Sequence, residues 1–158
     1  MITVVANVFK TGVYVEEDRE GVEYPTFFPP SECRKAAASL VKRPVLMGCH
    51  AFTWAKMRHR IIGFVADARY DHPFIRAQLV LWPWTDPADI DGRHLSLGHT
   101  NKMFTSGNGE IRTVAHVPYT AIARDLIGLH VSLGRPGQKG ACGADCSIQL
   151  NKEFINAA

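Results

Sequence analysis

Residues 61–82 read IIGFVADARYDHPFIRAQLVLW. In the second half of this stretch Ile75, Ala77, Leu79 and Leu81 alternate with Arg76, Gln78 and Val80, the period of a half-buried strand. The run 61–70 before it is apolar and rich in branched side chains, which suits a strand of its own. Asp71-His72-Pro73 between the two has the residues of a hairpin turn. An antiparallel β pair is therefore expected in mid-chain.

The flanks extend that pattern. Toward the N-terminus, 45–48 (VLMG) forms a short apolar strand, followed by a loop over 49–60. A helix is expected over 32–42 (ECRKAAASLVK), capped by Ser31 after Pro29-Pro30 and stopped by Pro44. Residues 2–9 (ITVVANVF) are β-branched and read as a strand, continued by Val13–Val15 beyond a bend at Lys10-Thr11-Gly12. The charged run 16–21 (EEDREG) reads as an exposed turn. Toward the C-terminus a short helix fits 86–91, with Asp86 as cap and Pro87 at the first helical position. Strands follow at 93–99, 110–117 and 126–133, with Gly107-Asn108-Gly109 turning between the first two. After the Gly-rich loop 134–144 (GRPGQKGACGA), 145–150 reads as a last strand. The count is about seven strands and two short helices, a mainly β chain of the α+β class, expected to form an antiparallel barrel or sandwich with helices packed outside.

At 158 residues the chain fits one domain, with 46% hydrophobic and 21% charged residues, as in soluble globular proteins. No apolar run approaches the roughly 18 residues of a membrane span. The opening Met-Ile-Thr-Val-Val-Ala-Asn lacks the basic region of a signal peptide, so a cytosolic protein is expected. The net charge is only +3, and the arginines are scattered rather than striped, so neither nucleic acid nor membrane is expected as a partner. Of the cysteines Cys33, Cys49, Cys142 and Cys146, the last pair is spaced one residue wider than a redox C-x-x-C motif, and reduced thiols are expected. A zinc set of Cys49, His50, Cys142 and Cys146 would span two distant loops with loose spacing. No cofactor or metal is expected.

Three polar residues interrupt apolar strand segments. His50 ends the 45–48 strand, Ser96 lies between Leu95 and Leu97, and His130 between Leu129 and Val131. With the leucines facing the core, Ser96 faces away from it. Single residues of these types are common in strands for structural reasons, but glycines stand beside all three: Gly48, Gly98 and Gly128. A serine hydroxyl is a poor nucleophile near pH 7 and needs an adjacent base, which a neutral imidazole supplies. A third group must hold that imidazole in the right tautomer, and a second histidine can do so. The loop after His130 carries Arg135 among glycines and is suited to supporting an oxyanion.

The order His50, Ser96, His130 resembles the His–Ser–His order of the herpesvirus assemblin proteases. Their serine lies in a Ser-Leu-Ser context, compared with Leu95-Ser96-Leu97-Gly98 here. Their second histidine opens a His-Val-Ala-Leu run into an Arg-rich Gly loop, compared with His130-Val131-Ser132-Leu133-Gly134-Arg135-Pro136-Gly137. The chain is more similar still to the related bacteriophage prohead-protease-like family. That pattern opens with Arg-Thr-Gly-Val (Lys10–Val13 here), continues with Pro-Pro-x-Glu (Pro29–Glu32) and Lys-Pro-Val leading to the first histidine (Arg43–His50), then Leu-Ser-x-Gly-Tyr (Leu95–His99), and closes with Gly-Asn-His-Val-Ala-Leu (Gly128–Leu133).

The resemblance runs from about residue 4 to 148 and implies a β-barrel with flanking helices. It implies a serine endopeptidase that cuts scaffolding protein, major capsid protein and itself inside the prohead, in the host cytoplasm, during capsid maturation. Ser96 is then nucleophile, His50 general base, His130 the third member, and Gly134 with Arg135 support the oxyanion. The viral relatives work as dimers, which leaves a homodimer open here. The sequence departs from the pattern in carrying one arginine in the 134–137 turn and in His99 standing where phage relatives often have tyrosine. His94 and His99 also flank Ser96. The ending Ile155-Asn156-Ala157-Ala158 is similar to an assemblin cleavage site and is expected to be either a self-processing site or an ordinary terminus. The alternative to a protease is a non-enzymatic capsid or decoration protein on the same fold.

Overall fold

A computed structural model describes residues 1–106 and 108–150. The Ile155–Ala158 segment lies outside the described residues. The mid-chain hairpin forms as expected: β5 (Ile61–Asp71) and β6 (Phe74–Leu81) pair antiparallel across a two-residue turn. Ile75, Ala77, Leu79 and Leu81 are buried, in keeping with their alternation. β1 (Ile2–Lys10) adds to the outside of β6, and β4 (Pro44–Met47) to the outside of β5. The N-terminal hairpin consists of β2 (Gly12–Glu17) and β3 (Glu23–Phe28).

The remaining strands correct the expected topology. β7 (Leu95–Thr105) and β10 (Ala121–Leu133) are longer than expected and pair antiparallel along most of their length. The expected strand at 110–117 splits into a separate ribbon, β8 (Arg112–Val114) and β9 (Val117–Tyr119), because Ala115 and His116 both turn with positive φ. The sheet is mixed rather than antiparallel. β10 runs parallel to β3 at Ala121–Ile122 and parallel to β4 at Val131–Leu133. Hairpin signals cannot reveal these pairings, since the partners lie far apart in the chain and share no turn.

Between those two parallel contacts, helix α1 (Pro30–Leu40) replaces a strand beside β10. Glu32 Oε2 accepts the Leu126 N–H at 3.1 Å, and Ser39 Oγ accepts that of Gly128 at 2.8 Å. The helix rides close: a Cβ on Gly128 would lie 3.0 Å from Ala36 O and from Leu40 Cδ1. α1 starts at Pro30, whose fixed φ suits a first helical position, so Ser31 falls inside the helix instead of capping it. Its last residue is Leu40, and Lys42 turns left-handed at φ 68. A four-residue helix α2 (Trp54–Met57) lies in the loop after β4. Helix α3 (Pro87–Ile90) is capped as expected, with Asp86 accepting the Ala88 N–H.

No closed barrel forms. Among the described residues β1 pairs only with β6, and β7 only with β10. The seam between them is filled by the segment expected as a last strand, which instead makes a 3-10 turn (Gly143–Asp145) and a single bridge, Ser147 to His94. Asp145 O accepts from Asn7 Nδ2 on β1, and Cys146 O accepts from Leu95 N on β7. Cys142 and Cys146 are joined in a disulfide across this turn, not reduced, and the zinc set they would have joined does not assemble. Cys33 and Cys49 are free thiols. Among the described residues no helix is long and apolar enough to cross a membrane.

Candidate active site

Strand β10 carries His130, and both neighbours of the site are referenced to it. Ser96 on β7 is the cross-strand partner of Ser132, and Gly98 that of His130, so these four face one side of the sheet. Leu95, Leu97, Val131 and Leu133 face the core and are buried. On the other flank of β10 the chain leaves β4 through Gly48, whose φ of 89 favours glycine. Gly48 N donates to Leu133 O at 2.7 Å, and Ser132 Oγ donates to Gly48 O. This clamp directs the following residues back over β10, and Arg60 steadies them by donating to Cys49 O at 3.2 Å.

His50 is thereby set between the other two members. Its Nε2 lies 2.9 Å from Ser96 Oγ, and its Nδ1 lies 2.7 Å from His130 Nε2. The structure brings all three sequence-predicted residues into one hydrogen-bonded row. Phe52 lies over the pair of rings, with centroids 6.1 Å from His50 and 5.1 Å from His130. His130 is fully buried, while His50 stands at the rim with an edge toward solvent. Below the His130 ring there is space only because residue 98 is glycine. A Cβ there would lie 2.1 Å from His130 Nε2.

Burial pushes the His130 pKa down to about 4, and charge on His50 and His99 pushes it the same way. Burial, then His99, also lowers that of His50 below the ordinary histidine value. Both rings are therefore neutral near pH 7. In the tautomer that leaves the His50 Nε2 lone pair open to act as base, Ser96 O–H donates to His50 Nε2, His50 Nδ1–H donates to His130 Nε2, and the remaining His130 proton sits on Nδ1. That Nδ1 is buried with no partner among the described residues.

Ser96 and His50 open into a cleft of ≈ 380 Å³ shared with Ser132, Gly134, Lys139 and Ala141. A second, apolar cleft of ≈ 260 Å³ begins on the other side of Ser96, between Val8, Tyr14, Val15 and Leu97. Gly134 lines the first cleft, but its N–H is spent on His94 O at 2.9 Å. Arg135 lines an adjoining cleft instead, and its N–H goes to Gln138 Oε1 at 3.0 Å. The turn folds back on itself through Gln138, whose own N–H returns to Arg135 O. As placed, neither expected support residue turns an amide toward the serine.

Of the two flanking histidines, His99 is turned to the opposite face. Its Nδ1 is 3.2 Å from Leu97 O, its Nε2 3.3 Å from Glu16 Oε1, and its ring packs edge-on against Phe9 and Phe28. His94 lines the same cleft as Ser96. Sequence reasoning missed Ser132 and Phe52. The strand alternation puts Ser132 on the His130 face two residues on, whereas nothing local marks Phe52. Compared with known proteins, the chain matches no family model, no curated protein and no solved structure.

Proposed function

We propose that the protein is a serine endopeptidase with a Ser96–His50–His130 triad, acting in the maturation of a phage prohead. The single observation that carries the hydrolase reading is the hydrogen-bonded row from Ser96 Oγ through the two nitrogens of the His50 ring to His130. Three side chains more than thirty residues apart in sequence converge, with Ser96 and His50 at an open cleft and His130 buried behind them, and the central ring is neutral where a base must be.

His50 Nε2 takes the Ser96 proton as Oγ attacks the scissile carbonyl, and later gives it to the leaving amine. The His50–His130 bond fixes the tautomer and strengthens when His50 becomes charged. A neutral imidazole supplies no fixed negative charge, so turnover is slower than with a carboxylate behind the base. Scaffolding protein and major capsid protein as substrates, self-cleavage, and action inside the prohead in the host cytoplasm rest on the motif resemblance described above.

A fluorophosphonate probe followed by peptide mapping tests the reading. One adduct on Ser96 is expected, and Ser96→Ala is expected to abolish both the adduct and cleavage of a co-expressed scaffold while the variant remains folded. Full scaffold cleavage by Ser96→Ala removes the serine from its role. An unlabelled, inert wild-type protein favours a structural or decoration role on the same fold.

A further inference from the structure

The row of three accounts for nucleophile and base but does not itself supply a donor for the developing oxyanion. Four amides of the 134–140 loop beside the cleft are already engaged. Gly134 N donates to His94 O, Arg135 N to Gln138 Oε1, Gln138 N to Arg135 O, and Gly140 N to His94 Nδ1 at 3.1 Å. The last of these bonds decides the state of a neighbouring ring. Because His94 Nδ1 accepts a backbone N–H, its lone pair is in use and the ring proton sits on Nε2. Among the described residues no acceptor takes that Nε2–H.

We infer that His94 is a catalytic residue whose Nε2–H binds the oxyanion formed when Ser96 attacks; this role rests on the serine-hydrolase reading. His94 is half-buried and lines the cleft that holds Ser96. Two positions apart along extended chain, the residues share a face at a spacing of about 6.6 Å. A carbonyl attacked by Ser96 Oγ develops its negative charge in the cleft that His94 also lines. As the Oγ–carbon bond forms, the carbonyl π pair moves to that oxygen and the Ser96 proton passes to His50 Nε2. When the carbon–nitrogen bond breaks, the pair returns and the proton leaves with the amine.

His94 is also held in advance of the reaction, the condition under which a donor lowers a barrier. Its carbonyl is tied to Gly134, its backbone bridges to Ser147, and its ring is fixed by Gly140. Gly140 packs so close that a Cβ there would lie 3.0 Å from Leu95 O and 3.4 Å from His94 Cβ. The same bond to Gly140 bars His94 from acting as the base, since neither nitrogen offers a vacant lone pair.

The test is the rate of fluorophosphonate labelling at Ser96 and the hydrolysis of p-nitrophenyl butyrate, in wild type and in His94→Ala, His94→Phe and His94→Gln. His94→Phe keeps the ring volume without the N–H, and His94→Gln can accept from Gly140 and still present a donor. The expected result is labelling about 10²–10³-fold slower in the Ala and Phe variants, with kcat reduced and KM unchanged, and His94→Gln within about tenfold of wild type. Ala and Phe variants that label at the wild-type rate overturn the role of His94 and leave the protease reading in place. A wild-type protein with no Ser96 adduct overturns both.

Discussion

Replacing Gly98 by alanine adds one methyl group at the tightest point of the site. That Cβ would lie 2.1 Å from His130 Nε2, 2.2 Å from Cε1 and 2.6 Å from Cδ2. To restore ordinary contact at 3.4 Å the ring must retreat by about 1.3 Å. It is fully buried beneath Phe52 and His50, so retreat means displacing them or bending β10. Overpacking of this kind costs about 1–3 kcal/mol. The 2.7 Å bond from His50 to His130 does not survive such a shift, so the orienting member is lost along with stability. In urea denaturation the midpoint of Gly98→Ala is expected to fall with an unchanged slope. Activity is expected to drop to the level of His130→Ala. The double variant Gly98→Ala/His130→Ala is expected to regain most of the stability that Gly98→Ala lost, because the clashing ring is gone. A Gly98→Ala protein with wild-type midpoint and wild-type rate would refute the stacking of the ring on residue 98. A double variant no more stable than the single sum would place the clash elsewhere.

His130→Ala is expected to cost less activity than His50→Ala, because orienting a base is worth less than the base itself; an equal or reversed ranking on one peptide substrate counts against these roles. The pH–rate profile of kcat/KM should rise with pH through a midpoint below the ordinary histidine pKa of 6.5, since His50 must be neutral and its pKa is lowered; a limb centred above neutrality is the contrary outcome. His130, with a folded pKa of about 4 against 6.5 unfolded, contributes stability that is present above about pH 6.5 and lost as pH falls toward 4, where the unfolded chain binds the proton first. The loss is on the order of 3 kcal/mol, and denaturant midpoints in His130→Ala should vary less over that range. Glu32→Leu should destabilise the fold by about 1–3 kcal/mol, because it leaves the buried Leu126 N–H without its acceptor, and Glu32→Gln should recover part of that in the same titration.

The parts of this architecture written in local pattern were legible. The alternation from Ile75 to Leu81 gave the central hairpin, and Pro87 behind Asp86 gave α3 with its cap. Ser96 and His130 were readable because each interrupts an apolar strand segment, Ser96 between the buried Leu95 and Leu97, His130 between Leu129 and the buried Val131. What was not legible depends on distant partners. Nothing near Val131 says that it pairs with Val45, and nothing near Glu32 says that its carboxylate serves Leu126 across the helix–strand contact. The seam between β1 and β7 was misread for the same reason. Residues 145–150 have strand composition, but the disulfide turn and the Asn7 contact hold them as a plug. Arg135 has the right composition for oxyanion support, yet its N–H is taken by the Gln138 side chain three residues on.

Because β10 touches β3, β4, β7 and α1, it serves as a common datum for the chemistry. The loop bearing His50 and the strand bearing Ser96 are both fastened to it. It also follows residues 50 and 96 in the chain. The clamp that sets residue 50 over residue 96 needs 130–133 in place, so on the proposed reading a chain that has not yet made them has no assembled site.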